Sequence, residues 1–168
     1  MLCLFASLAT IGRAQSDTTM YKHSLGLHAG IASGYGFSYR YWPTKIGLQV
    51  TAFPFLSNSE FRISSGLSLL LTIKDFSKLR LYSYLGNHFM YSNFDYGDPV
   101  NNFYQKKYDY YSALGVGVRI NFLEVLDFNL QAGYGFGYSS SFSNLSIGAN
   151  FSQYNTTLDV GAGLYFHF

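Results

Sequence analysis

Residues 109–122 read DYYSALGVGVRINF. Tyr110, Leu114, Val116, Val118, Ile120 and Phe122 share one parity, and Asp109, Tyr111, Ala113, Gly115, Gly117, Arg119 and Asn121 share the other. A repeat of two belongs to a strand with one apolar face, whereas a helix would repeat near 3.6. Residues 128–137, FNLQAGYGFG, do the same: Phe128, Leu130, Ala132, Tyr134 and Phe136 stand opposite Asn129, Gln131, Gly133, Gly135 and Gly137. The face opposite the apolar one decides the solvent. In a water-facing sheet it would carry Lys, Glu and Thr; here it is mostly small, as the narrow interior of a closed barrel requires. Glycine weakens a strand unless something approaches closely, so its repetition argues for a crowded inside.

The same alternation occurs eight times along the chain. Leu25, Leu27, Ala29 and Ile31 oppose Ser24, Gly26, His28 and Gly30, and Tyr35, Phe37, Tyr39 and Tyr41 oppose Gly36, Ser38 and Arg40. Ile46, Leu48, Val50 and Ala52 oppose Lys45, Gly47, Gln49 and Thr51. Ile63, Ser65, Leu67, Leu69 and Leu71 oppose Arg62, Ser64, Gly66, Ser68 and Thr72, with Leu70 an apolar exception on the polar side. Leu79, Leu81, Leu85 and Phe89 oppose Arg80, Tyr82, Tyr84, Gly86 and His88. At the end, Leu158, Val160, Ala162, Leu164, Phe166 and Phe168 oppose Thr157, Asp159, Gly161, Gly163, Tyr165 and His167.

Composition agrees with an apolar exterior. Charged residues are 12% of the 168, against about 25–35% on the surface of a small soluble domain. Sixteen Tyr and sixteen Phe bring aromatics to 20%. The net charge of +2, without a Lys/Arg cluster, gives no footprint for nucleic acid. No apolar run reaches the length of a membrane helix. Hydrocarbon tolerates no open sheet edge, so eight strands of this kind predict a closed, eight-stranded antiparallel transmembrane β-barrel, an all-β up-and-down meander.

Short connections near residues 43–44, 75–77 and 123–127 alternate with longer ones at 56–60, 93–106 and 139–153, which predicts a periplasmic rim of turns and an external rim of loops. The first external connection, at residues 32–34, is the short exception. Aromatics near strand ends read as two interfacial girdles: Tyr39, Tyr41, Trp42, Phe122, Phe128, Phe166 and Phe168 below, Tyr35, Phe53, Phe55, Phe89, Tyr91, Tyr110 and Tyr138 above. Residues 1–14 are apolar and end in Gly12-Arg13-Ala14, as a secretory signal does, although no positive residue precedes the apolar part. The mature barrel domain is then expected over 15–168, without the sole cysteine, Cys3.

The last ten residues, DVGAGLYFHF, resemble the terminal assembly signal of bacterial outer-membrane β-barrels. Gly163, Phe166 and Phe168 match its glycine and two aromatics, while Gly161 stands where the pattern prefers a polar residue. The resemblance implies recognition by the barrel-insertion machinery and residence in the bacterial outer membrane, with outer-membrane lipid as solvent. Residues 15–168 as a whole are similar to the small barrels of the OmpX-like and OmpA-like class, without a periplasmic domain. That class contains structural proteins, adhesins and lipid-modifying enzymes, so it does not select an activity.

Polar residues on the inner face are the candidate site. Arg40, Arg80 and Arg119 lie low, Asp159 nearer mid-height, and Arg62 and Asp109 towards the outside, with Gln131 on the same inner face. Buried charges need partners, so these seven are expected to form a network that plugs the lumen. No Ser/His/Asp arrangement is legible from strand height, and no spacing points to a metal or other cofactor. The outer loops, rich in Tyr and Asn, are a candidate surface for an extracellular protein or surface ligand. The sequence therefore predicts a non-catalytic barrel with a structural or surface-interaction role in the envelope. The alternatives are a barrel enzyme acting on outer-membrane lipid and a narrow transport or adhesion barrel.

Overall fold

The computed structural model describes residues 22–57, 60–95, 104–143 and 151–168. The expected signal segment and the tips of the two longest loops lie outside these residues. The chain forms eight strands: β1 (His23–Gly30), β2 (Gly34–Tyr41), β3 (Ile46–Leu56), β4 (Glu60–Asp75), β5 (Leu79–Asp95), β6 (Tyr104–Leu123), β7 (Leu126–Ser143) and β8 (Phe151–His167). Each pairs antiparallel with the next, and β8 closes on β1. The expected meander barrel is what the chain adopts.

Sidedness follows the alternation. Leu114, Val116, Leu130, Tyr134, Leu158 and Val160 face outward and are exposed, whereas Gly117, Arg119, Asn129, Gln131 and Asp159 are buried inside. Leu70, the exception by sequence, is fully buried among the inward Trp42, Tyr82 and Tyr84. An apolar exterior around a polar, filled interior inverts the arrangement of a water-soluble barrel.

The strands are unequal. β1 and β2 have 8 residues each, and β5 to β8 have 17 to 20. By sequence the later strands stop near Tyr91, Asp109, Gly137 and Thr157; they continue several residues further, because polar residues still pair in water once a ladder is running. The first wall of the barrel is therefore low and the opposite wall high.

The low wall ends unusually. Residues 31–33 between β1 and β2 turn into the lumen, and Ala32 and Ser33 are buried at 1% and 0% exposure. Gly34 and Gly36 follow with φ of 78° and 124°, values that L side chains rarely adopt. They break the pleat, and Tyr35 swings inward with them. Its ring meets His88 edge-on at 5.7 Å and packs 6.2 Å from Phe53, and its hydroxyl donates to Met90 Sδ. Tyr35 thus leaves the outer girdle, and Phe53, expected there from its height, faces inward on the parity of Gln49 and Thr51. Trp42 leaves the lower girdle: it is 3% exposed, inside the barrel and edge-on to Tyr82. Trp42 lies just past the end of β2 but keeps the inward parity of Ser38 and Arg40, and that parity, not its nearness to the rim, sets its side.

Candidate functional site

Inward-facing polar side chains gather in three tiers. In the lowest, Asp127 is the hub. It lies 2.8 Å from Arg119 Nε, 2.5 Å from His167 Nε2 and 3.8 Å from Arg40 Nη1, and is itself fully buried. Arg40 also donates to Gln49 Oε1 through Nε and Nη2, and its guanidinium carbon lies 3.8 Å from the ring centroid of Tyr165. Arg119 reaches Asn121 and His167, and Arg80 pairs with Asp75 at 2.5 Å while standing 4.6 Å from the Trp42 ring. Arg40 lies 5.7 Å from the same ring, so two cations flank one indole, an arrangement worth more where water is scarce. Asn129 donates to Tyr82 Oη, and the Tyr165 hydroxyl to Ser38.

Asp159 organises the middle tier. Its Oδ1 accepts the Ala32 N–H at 2.8 Å, and its Oδ2 accepts the Tyr84 hydroxyl and, more loosely, Gln131 Nε2 at 3.5 Å. Gln131 Nε2 also donates to Ser33 Oγ at 2.7 Å, and His28 Nε2 meets the same hydroxyl at 2.7 Å. Side chains from β1, β7 and β8 therefore grip the turn at residues 31–33, through the Ser33 hydroxyl and the Ala32 N–H, and Tyr84 from β5 braces Asp159.

The upper tier holds the turn from the other side. His88 Nδ1 is 2.7 Å from the Ile31 carbonyl and Nε2 is 2.9 Å from Ser64 Oγ. The carbonyl can only accept, so Nδ1 carries a proton, and in the neutral ring Nε2 then accepts from the serine. That order of bonds is the one a base and nucleophile use. Strand-height reasoning did not find the pair, because an inward turn brings β4, β5 and the β1–β2 connection together at one level. Ser64 is 0% exposed and Tyr35 packs on the imidazole, so the pair clasps the turn. Near the outer end, Asp109 accepts from Ser139 and pairs with Lys107 at 3.0 Å, and Arg62 pairs with Glu60.

Of the seven predicted network residues, Arg40, Arg80, Asp109, Arg119, Gln131 and Asp159 are buried, and Arg62 stands half-exposed at the rim. They do not form one network: Arg40 and Arg119 share Asp127, Gln131 and Asp159 share the turn, and Arg80, Arg62 and Asp109 have local partners. The hub Asp127 was read by sequence as the end of a turn. A signal was present in its parity with Asn129 and Gln131, the two inward residues that follow it. Gly163 faces inward, and an added Cβ there would meet Asn129 Oδ1 and Tyr165 Cε2 at 2.6 Å, so packing alone demands a glycine. Phe166 and Phe168 face outward, 51% and 59% exposed. Among the described residues no group of three His, Cys, Asp or Glu side chains could hold a metal ion.

Comparison with protein-family models and with curated proteins finds no match. Among solved structures, the chain is similar to the N-terminal beta-barrel domain of Pseudomonas aeruginosa OprF, with 16% identity, 87% of this chain and 95% of that one covered, and a TM-score of 0.47. It is similar to Acinetobacter baumannii CarO at 10% identity, over 91% of this chain and all of that one, with a TM-score of 0.42. A major outer membrane protein from Thermus thermophilus gives 14% identity, 88% of this chain, 100% of that chain and a TM-score of 0.44.

Proposed function

We propose that this chain is a bacterial outer-membrane β-barrel that serves the envelope as a structural or surface-interaction element, with its lumen closed by side chains and by its own first turn. One observation carries this reading: exposed Leu, Ile, Val and aromatic side chains surround a lumen that buries Arg40, Asp127, Asp159 and the turn at residues 31–33. An apolar exterior of this kind is stable only in lipid, and an eight-stranded interior is just wide enough for side chains to fill. The long outer strands present their far ends to the medium, where contacts with an extracellular protein or surface ligand would be made. Insertion through recognition of Gly163, Phe166 and Phe168 remains part of this proposal, although Gly163 also has a packing role.

Fractionation of cells producing the protein tests location, combined with electrophoresis before and after boiling. The outer-membrane fraction should contain a band that shifts on heating. Recovery as a soluble species of unchanged mobility would end the proposal. In planar bilayers the closed lumen predicts no steady conductance; stable open channels would transfer the function to transport.

A further inference from the structure

The lower tier carries more positive charge than its carboxylates answer. Among the described residues, its three guanidinium groups face two carboxylates. Arg80 has Asp75 at 2.5 Å, and Arg119 has Asp127 at 2.8 Å. Arg40 is left with Asp127 Oδ1 at 3.8 Å, beyond the reach of a hydrogen bond. His167 draws on the same carboxylate and adds no negative charge. A guanidinium sealed from water with so distant a counter-charge is costly unless something else answers it.

The unmet groups around Arg40 are donors. Arg40 Nη1, Trp42 Nε1 and Gln49 Nε2 are buried without a hydrogen-bond partner, on residues that are 0%, 3% and 1% exposed. Chemistry fixes the orientation of the amide. A guanidinium can only donate, so Gln49 turns Oε1 to Arg40 and accepts from Nε at 3.3 Å and from Nη2 at 3.0 Å. Both lone pairs of that oxygen are then used, and Nε2 is left with two protons to place.

Register brings these donors to one patch of the inner wall. Arg40 stands opposite Gln49, and Gln49 opposite Ser68, whose hydroxyl is also buried and without a partner. One step lower, the indole of Trp42 lies over Gly47, and the Arg40 guanidinium carbon is 5.7 Å from the indole centroid. The patch therefore gathers a cationic N–H, an indole N–H, an amide NH2 and a hydroxyl. A water molecule does not complete this set. Its oxygen can accept, but its own two protons find no acceptor on Arg40, Trp42 or Gln49, and it brings no charge. Sulfate brings two charges to a surplus of one. A single spherical anion accepts from several directions, needs no acceptor in return and cancels one charge.

We propose that a small monovalent anion of the chloride class binds among Arg40, Trp42, Gln49 and Ser68, as the counter-ion of Arg40 in the lower tier. The inference goes beyond the envelope role and does not depend on it. The anion makes the lower part of the filling complete in charge, so the stability of the barrel is tied to the ionic composition at its lower rim.

The test uses the full chain refolded in detergent micelles from chloride-free buffer. Sodium chloride replaces sodium gluconate at constant ionic strength, which holds screening fixed, and stability is read by urea titration. Once the site is filled, each further tenfold of chloride should raise the folding equilibrium constant about tenfold. Bromide and iodide give a second reading, because heavy halides quench an indole on contact and Trp42 is the sole tryptophan. Their quenching should saturate and be reversed by chloride. Gln49→Glu gives Arg40 a carboxylate from the chain itself, and should abolish the chloride response while the heat-shifted band persists. Trp42→Phe keeps a ring over Gly47 without the N–H, and should need more chloride for the same effect; it also covers the case in which Gln49→Glu does not fold. The proposal is overturned if chloride and gluconate give one urea midpoint, or if bromide quenching is linear and indifferent to chloride. It is overturned as well if a folded Gln49→Glu, or Trp42→Phe, responds as the wild type does. Saturable stabilisation by phosphate and none by chloride would make this an oxyanion site and overturn it equally.

Discussion

The N–H of Ala32 donates to Asp159 Oδ1 across 2.8 Å, although 127 residues separate them in the chain. This bond joins the first turn to the last strand, and it makes the short turn part of the barrel's filling. Asp159 also accepts the Tyr84 hydroxyl, so one carboxylate serves two buried donors.

Replacing Asp159 by Ala should therefore cost about 2–3 kcal/mol, since both donors lose their acceptor in a place that water reaches poorly. The Ala32 amide should become the fastest-exchanging buried amide of β1 and its turn. Asp159→Asn, which keeps one acceptor oxygen, should cost less. Urea titrations of refolding in detergent, with amide exchange read at Ala32, check both. An unchanged Ala32 exchange rate in Asp159→Ala would mean that the turn is held mainly by His28, His88 and Gln131.

The lower tier should respond more strongly. Asp127 faces Arg40, Arg119 and His167, and all four are buried. Asp127→Ala leaves two guanidinium groups without their shared carboxylate, and should cost about 3–5 kcal/mol. Removing a cation with it should restore part of the loss, so Asp127→Ala with Arg119→Met should be more stable than the single variant. A double-mutant cycle by urea titration measures this coupling. Additive losses would show that Asp127 and Arg119 act independently.

The barrel, its meander order and the sidedness of its strands were legible because one physical cause, an apolar solvent outside and a narrow space within, acts on every second residue. Leu70 could be assigned to the inner face from parity alone, against its chemistry. Tyr35 was misplaced because Gly34 and Gly36 break the pleat on either side of it. Phe53 and Trp42 were misplaced because nearness to a strand end was read ahead of parity: Phe53 shares the inward parity of Gln49 and Thr51, and Trp42 that of Ser38 and Arg40. The tiers were legible as a set of inward charges but not as contacts. Which groups touch depends on the inward course of residues 31–33, and a three-residue turn leaves no periodic trace in a sequence. Asp127 is the instructive case, a turn residue by position and the hub of the lower tier by geometry.

Adjacent residues of β6 should fail for different reasons. Val116 is 53% exposed on the outer face, and Val116→Arg should cost about 2–4 kcal/mol near the bilayer midplane. Gly117 is buried against Tyr82, whose Cε2 lies 2.7 Å from where a Cβ would stand. Gly117→Ala should displace that fully buried ring and cost about 1–3 kcal/mol through overpacking. Single cysteines separate the two mechanisms: position 116 should label from the lipid phase and position 117 should not. The reverse pattern would turn the barrel inside out.

The chain has one tryptophan, and its position distinguishes an interfacial ring from a lumenal one. At the lower girdle, Trp42 would touch lipid and be quenched strongly by brominated acyl chains. In the structure it is 3% exposed and lies inside the wall, edge-on to Tyr82, with Arg80 over its ring and Arg40 further off. Gly47 lies beneath it: a Cβ there would come within 2.6 Å of Trp42 Cγ, so the indole fills the space the missing side chain leaves. Emission should therefore be only weakly quenched by bilayers brominated at any depth. Gly47→Leu should push the ring from its place and change both the emission and its quenching, whereas Tyr41→Leu, next in sequence but on the outer face, should alter neither. Strong quenching of the wild-type protein by lipids brominated near the headgroup would return Trp42 to the girdle and remove the aromatic floor of the lower tier.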